Sequence, residues 1–283
     1  MTIAVVTDSA AMLPREVAEQ YGIVVVPLMV NVGGESFPDG DMRDDDLIAR
    51  IDEGVTTSGP SPGAFAAAVE RVTSERPDVG HVVVVTVARA LSGTYGAARL
   101  AASGASVPVT VVDSETAAGA EALVALAAAE QAAAGAGRDE VVGAALTAVE
   151  EVRLVGSLNS LERLVASGRV PGIAGKAGQV LGVNPLFELR RGKVRPLRPA
   201  FSRDAALERI LGLWRADKRD GTVAHVVALH ALAREDAKRL LEALRDEEEP
   251  ALHLLGAFGP AMIAHAGPGV VGLAWRWAAA PRA

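Results

Sequence analysis

Short β-branched runs alternate with amphipathic stretches along the first half of the chain. Ile3-Ala4-Val5-Val6-Thr7 is apolar until it meets Asp8-Ser9-Ala10, the pattern of a buried strand that delivers a polar turn to its carboxyl end. Pro14 opens a short helix, and Gly22 to Val32 reads as one strand closed by a Gly33-Gly34 turn. An acidic patch from Asp39 to Asp46 precedes a helix with Leu47, Ile48 and Ile51 on one side. Ser61-Pro62 supplies the N-cap and first residue of a helix through Val72. His81 to Val87 and Val109 to Val112 are strand patterns, the second ending at Asp113-Ser114. Gly93 to Ala102, Ala117 to Ala134 and Arg138 to Val149 are helix patterns. This alternation predicts an α/β fold with a mostly parallel sheet and helices on both faces. Ligands in such sheets bind beyond the carboxyl ends of the strands, where Asp8-Ser9, Ala90-Leu91-Ser92-Gly93-Thr94 and Asp113-Ser114 fall.

The pattern changes after Gly156. Between Arg163 and Arg203 there are nine Lys or Arg residues and one acid, Glu188, in a chain whose net charge is −7. The shift predicts two domains, an N-terminal α/β unit over 1–156 and a C-terminal α/β unit over 157–283. The second would contain a strand from Val223 to Leu229, a helix from Arg234 to Glu247 and a terminal strand from Val270 to Trp275. No internal repeat at a fixed period is visible, and the Ala runs around 117 to 134 are helix formers.

Composition narrows the chemistry. With 283 residues, 50% of them hydrophobic and 22% charged, the chain can bury a core without staples, which excludes disorder. An acidic total with 4% aromatics argues against a nucleic-acid binder. Cysteine is absent, which excludes disulfides, a thiolate nucleophile and Cys-ligated zinc. No run reads as membrane-spanning and the first strand pattern begins at Thr2 without a basic leader, so the expected setting is soluble and cytoplasmic. No phosphate-binding G-x-x-x-x-G-K-[ST] occurs, and Gly135-Ala136-Gly137 fails the dinucleotide fingerprint because Glu140 replaces its last glycine. Asp39, Asp41 and Asp44 have calcium-loop spacing, but Arg50 stands where the bidentate Glu belongs, leaving a solvated acidic loop as the simpler reading. The five histidines form no H-E-x-x-H pair; neither a metal nor a cofactor is expected. Ser92, Asp113 and His265 could compose a hydrolase triad, yet the G-x-S-x-G elbow is missing. Ser92 at a helix mouth reads better as an anion-binding serine.

Three segments carry a family resemblance. Thr57-Ser58-Gly59-Pro60-Ser61-Pro62-Gly63-Ala64-Phe65 resembles the T-S-x-P-S-P-x-x-F signature of the DegV family of bacterial fatty-acid-binding proteins. Leu91-Ser92-Gly93-Thr94-Tyr95 is similar to its L-S-G-T-[YF] turn, and His265-Ala266-Gly267-Pro268-Gly269 to its H-[TV]-G-P-G element. Thr7-Asp8-Ser9, Val112-Asp113-Ser114, Ser167-Gly168-Arg169-Val170 and Val183-Asn184-Pro185-Leu186 follow in the family's order, so the resemblance spans nearly the whole chain.

The resemblance implies a two-domain α/β protein, not itself an enzyme, that holds a long-chain fatty acid between its domains and presents it to a separate fatty-acid kinase. By position it implies that Thr57, Ser58, Ser92 and His265 surround the ligand carboxylate, that Gly93 and Thr94 complete the turn, and that Arg169 meets a phosphate or the partner. There are departures: Phe201 stands where the family commonly has Arg, with Arg203 differently phased, Ala266 replaces Thr or Val, and Gly59 replaces a larger residue. Taken singly these residues also have plainer roles. Thr57, Ser58 and Ser92 could cap turns and helices, His265 could be a half-buried imidazole, and Asp8 and Asp113 are best read as anchors for backbone amides at strand ends.

Overall fold

The computed structural model describes residues 1–51, 53–169 and 183–279. The chain opens with β1 (Thr2–Asp8), a 3-10 turn at Ser9–Ala11, α1 (Arg15–Gln20) and β2 (Ile23–Val26). An insert follows: β3 (Met29–Val32), β4 (Glu35–Pro38), α2 (Asp44–Ala49) and β5 (Thr56–Ser58). Then come α3 (Pro62–Glu75), β6 (Val79–Thr86), α4 (Thr94–Ala102), β7 (Val109–Asp113), α5 (Ala118–Ala133) and α6 (Arg138–Glu151). The remainder is β8 (Arg153–Ser157), α7 (Glu162–Ala166), β9 (Asn184–Arg190), β10 (Lys193–Ala200), α8 (Arg203–Ala216), β11 (Thr222–His230), α9 (Arg234–Glu247), β12 (Leu252–Ala257), α10 (Pro260–Ala266) and β13 (Val271–Ala279).

The first sheet runs β2-β1-β6-β7 and is wholly parallel, as the alternating pattern predicts. One face packs on α3 and α4 around Val6, Val82, Val84 and Phe65; the other packs on α5 and α6 around Val5, Val83 and Val85. The single strand expected from Gly22 to Val32 is two. Pro27 has no N–H to continue a ladder, so β2 leaves the parallel sheet there and β3 begins a separate antiparallel sheet, β4-β3-β5. The Ser61 hydroxyl caps α3 by accepting the Ala64 N–H at 3.1 Å.

The second sheet runs β10-β9-β8-β13-β11-β12 and is antiparallel except for the β11–β12 pair. Helices α8 and α9 cover one face through Leu207, Ile210, Trp214, Leu240 and Leu244. Helix α5 covers the other while also packing on the first sheet, so every residue from Ala118 to Ala129 is buried. The alanine run is what lets one helix fit between two sheets. At Gly119 even a Cβ would come within 2.7 Å of Val227 on β11. Strand β8 pairs with β13 and β9 and so belongs to the second sheet.

Candidate functional site

A cavity of about 140 Å³ lies where the carboxyl ends of β1 and β6 meet the second sheet. Ala10 follows β1, while Val87, Leu91 and Ser92 follow β6. Leu154, Phe187, Leu189 and Val194 of β8, β9 and β10 form the facing wall, and Phe258, Met262, His265 and Ala266 close it. The lining is mostly apolar; its polar members among the described residues are Thr57, Ser92, Ser167, Arg169 and His265.

Three of these five, Thr57, Ser92 and His265, converge. Thr57 Oγ1 and His265 Nε2 share a hydrogen bond at 2.5 Å. Two residues beyond Thr57, Gly59 lies so close to the serine turn that a Cβ there would stand 2.5 Å from Thr94 Oγ1 and 3.3 Å from Ser92 Oγ. The departure from a larger residue at this position is therefore a close approach that only glycine permits. Ser92 Oγ accepts the Thr94 N–H at 3.3 Å and lies 2.8 Å from Thr94 Oγ1. If Thr94 donates in that pair, the Ser92 proton is free to point into the cavity. Burial, with the nearby positive charge of Arg169 adding to it, pushes the His265 pKa down to about 4, so the imidazole is neutral at neutral pH.

Local structure explains which residues arrive. In β5 successive side chains point to opposite sides. Thr57, opposite buried Val30, faces inward, while Ser58 is exposed and does not line the cavity. Gly93 is the exposed N-cap of α4, with no capping side chain, and Thr94 is fully buried behind Ser92. Arg169 is exposed at the rim, its Nη1 donating to the Ser167 carbonyl at 2.7 Å. Phe201 is 76% exposed, and Arg203 pairs with Asp236 at 2.8 Å; neither lines the cavity. Val170 of the Ser167–Val170 segment, and Lys176 of the basic stretch, lie outside the described residues.

Asp39 has a role that the calcium-loop spacing and the solvated-loop reading both leave out. The acidic loop is not merely solvated, because Asp39 reaches the far side of the site. Its Oδ2 accepts the Ser9 hydroxyl at 2.7 Å and its Oδ1 accepts the Ala261 N–H at 3.0 Å, while Ser9 Oγ accepts the Leu28 N–H at 3.0 Å. Burial raises the Asp39 pKa. Asp39 thus caps α10, the helix carrying His265, in place of Gly259, which has no side chain to do so. The start of α10 at Gly259-Pro260 without a capping residue was the available signal. Among the described residues no group of three or more His, Asp or Glu is placed to hold a metal.

Asp8 and Asp113 anchor amides as expected: Asp8 accepts Ala10 N–H at 3.0 Å and Val87 N–H at 2.9 Å, and Asp113 accepts Arg89 N–H at 3.2 Å and Glu115 N–H at 3.0 Å. Asp113 also pairs with Arg89 Nε at 3.2 Å, and His265 is bonded to Thr57. Ser92, His265 and Asp113 are therefore not linked as a hydrolase triad.

A parallel sheet and a mostly antiparallel sheet sharing one helix, with a mostly apolar cavity ending in hydroxyls and an imidazole, define an α/β protein with an amphipathic cavity between its two larger sheets. The sequence model of the DegV family, described as uncharacterised proteins, matches residues 2–277, and the chain belongs to that family. A DegV domain-containing protein of Streptomyces coelicolor is 34% identical over 275 residues, 96% of this chain and 97% of the relative. A Thermotoga maritima protein named as a fatty acid-binding protein is 28% identical over 96% of each chain. A structure describing fatty-acid binding by a DegV family protein from Thermus thermophilus matches with a TM-score of 0.89 and 28% identity, covering 98% of this chain and 100% of the other. Among the described residues no helix is long and apolar enough to cross a membrane.

Proposed function

We propose that this chain binds a fatty acid, with the carboxylate at Thr57, Ser92 and His265 and the acyl chain along the apolar remainder of the cavity. The observation that carries the reading is the convergence of the Thr57–His265 pair and the Ser92 hydroxyl, joined through Gly59, at one end of an otherwise apolar cavity. An ionised carboxylate removed from water needs donors. Ser92 Oγ–H and Thr57 Oγ1–H supply them when His265 Nε2–H donates to Thr57, and the positive charge of Arg169 stands at the rim. Thr94 orients Ser92 from behind, while Ser58 and Gly93 flank the site on the exposed side.

A methylene is close to a water molecule in size, and about 140 Å³ holds on the order of ten water-sized groups. A chain of about sixteen carbons, worth on the order of 10 kcal/mol gross at about 0.8 per methylene, therefore needs Met262 or another flexible wall residue to yield. We further take the protein as a carrier that presents the carboxylate to a separate kinase in the cytoplasm, with Arg169 meeting the phosphate or the partner. Lys193, Arg195 and Arg198, exposed along the edge strand β10, add a basic surface for such an encounter.

Native mass spectrometry of the purified protein followed by lipid extraction tests the reading. A copurifying fatty acid is expected. A lipid-free spectrum together with no uptake of added fatty acids would sink it.

A further inference from the structure

Two acids lie side by side beneath the cavity, and neither is explained by head-group binding. Asp8 ends β1, Glu121 sits in the first turn of α5, and neither exposes any surface. Asp8 spends both oxygens on backbone amides, Oδ1 on Ala10 and Oδ2 on Val87. Glu121 Oε1 accepts the Thr7 hydroxyl at 3.3 Å, while its buried Oε2 has no donor. Thr7, whose hydroxyl holds Glu121, directly precedes Asp8 on β1, so the two carboxyl groups share one dry site at the end of that strand.

The charges acting on the pair are themselves acidic, Asp39 at Asp8 and Asp113 at Glu121, and Asp113 is already paired with Arg89. Arg276, a cation packed on the same helix, faces Glu130 and Glu151, and the neighbouring His225 of β11 faces Arg276. Glu130 lies nine residues beyond Glu121, about 13 Å along the helix at about 1.5 Å per residue. Two ionised carboxylates sharing a site closed to water repel strongly, because neither solvent nor salt screens them there. One proton between them removes the repulsion and gives the orphaned acid a partner. Asp8, stabilised by two amide donors, is the better anion, so the proton belongs on Glu121.

We propose that Glu121 is a positioning residue for the lipid site: it keeps a proton at neutral pH, donates it to Asp8, and so fixes the two turns that carry Ala10 and Val87 into the cavity wall. The inference rests on the lipid-binding reading above. Its reach follows from the chain. Val87 leads through the Ala88 turn, whose carbonyl accepts the Ser92 N–H at 3.2 Å, to the head-group serine. Ser9, next to Asp8, holds Asp39 and through it the start of α10. A movement of Asp8 is thus felt at both Ser92 and His265. Burial pushes the Asp8 pKa up to about 6 and that of Glu121 well above its ordinary value, the direction a shared proton requires.

The sign of the pH dependence follows. Acids whose folded pKa is raised stabilise the fold fully below their unfolded values, and that contribution is lost as pH rises through the folded values. The experiment compares wild type with Glu121→Gln, which keeps a donor and the shape but cannot titrate, and with Glu121→Leu, which has no donor. Thermal unfolding of lipid-free protein and titration with palmitate are both followed from pH 6 to 10. The wild-type Tm and affinity are expected to fall with pH more steeply than those of Glu121→Gln. At pH 7 Glu121→Gln is expected to bind within about threefold of wild type, and Glu121→Leu about tenfold more weakly, as losing a hydrogen bond to a charged group implies. Equal pH slopes for wild type and Glu121→Gln would overturn the proposal, as would a Glu121→Gln variant binding as weakly as Glu121→Leu. If Glu121→Leu does not fold, the two pH slopes still decide. A wild type that binds no palmitate defeats the lipid reading and the positioning role with it, while the lipid-free Tm slopes separately report whether the proton is shared.

Discussion

On the parallel-sheet side of the cavity the lining comes from turns that follow strand ends, Ala10 after β1 and Val87, Leu91 and Ser92 after β6. On the other side it comes mainly from strand faces, Leu154, Phe187, Leu189 and Val194. Where parallel strands stop, amides lose their ladder partners, and the chain meets that need with the buried side chain of Asp8 and the more exposed one of Asp113. That wall is held by polar bonds and carries polar chemistry. The antiparallel wall keeps its amides within its ladders and offers only side-chain volume. Ser92 comes from that wall and is joined at the head-group end by Thr57 of β5 and His265 of α10, whereas acyl-chain accommodation should depend mainly on the antiparallel wall, and each side of that contrast can be pressed.

The largest expected effect is Asp8→Ala, which orphans the buried Ala10 and Val87 amides. At about 1–3 kcal/mol for each unsatisfied group, a loss of about 2–6 kcal/mol in stability is expected from denaturant unfolding. Ser92→Ala comes next. Loss of a hydrogen bond to a charged carboxylate, about 1.5–3 kcal/mol, predicts affinity reduced roughly tenfold to a hundredfold at nearly unchanged stability. A destabilised variant that binds at wild-type affinity would make Ser92 a cap and remove it from the site.

His265 predicts a smaller, pH-linked effect. Its folded pKa, about 4, lies below the ordinary value of 6.5, so the lipid-free fold loses stability as pH falls from about 6.5 towards 4. An ionised carboxylate bound beside it favours the protonated ring, so binding takes up protons and strengthens as pH falls, until the fatty acid itself is neutralised. Calorimetry in buffers of different ionisation enthalpy measures that uptake, and His265→Gln is expected to abolish it. The mildest change is Val194→Phe on the antiparallel wall. Affinity should fall about fourfold for each methylene displaced, for long chains but not short ones, with proton uptake unchanged.

What could be read in advance divides along the same line. The parallel half was legible because each strand is a continuous apolar run and each turn carries its own signal, such as Ser61-Pro62 before α3. The hairpin of β9 and β10 was not. Pro196 and Pro199 lack the N–H that a strand pattern needs, yet β10 is an edge strand where a missing N–H is tolerated. Helix α8 could have been read, since Leu207, Ile210, Leu211 and Trp214 hold a helical period. The motifs singled out Thr57, Ser92 and His265, which line one cavity, but that Ser58 turns outward depends on strand phase. Asp39 was missed because the helix it caps lies more than two hundred residues away in the chain.

Helix α5 belongs to both sheets, and this shapes how the molecule can be made. As the chain is synthesised, the parallel sheet and α5 emerge first, leaving the side of the helix meant for Val227, Leu229 and Ala274 bare until β11 and β13 exist. A fragment ending at Glu151 would carry that bare alanine surface and associate or aggregate, and the remainder alone would lack cover for one face of its sheet. The two halves are therefore expected to melt in one cooperative transition.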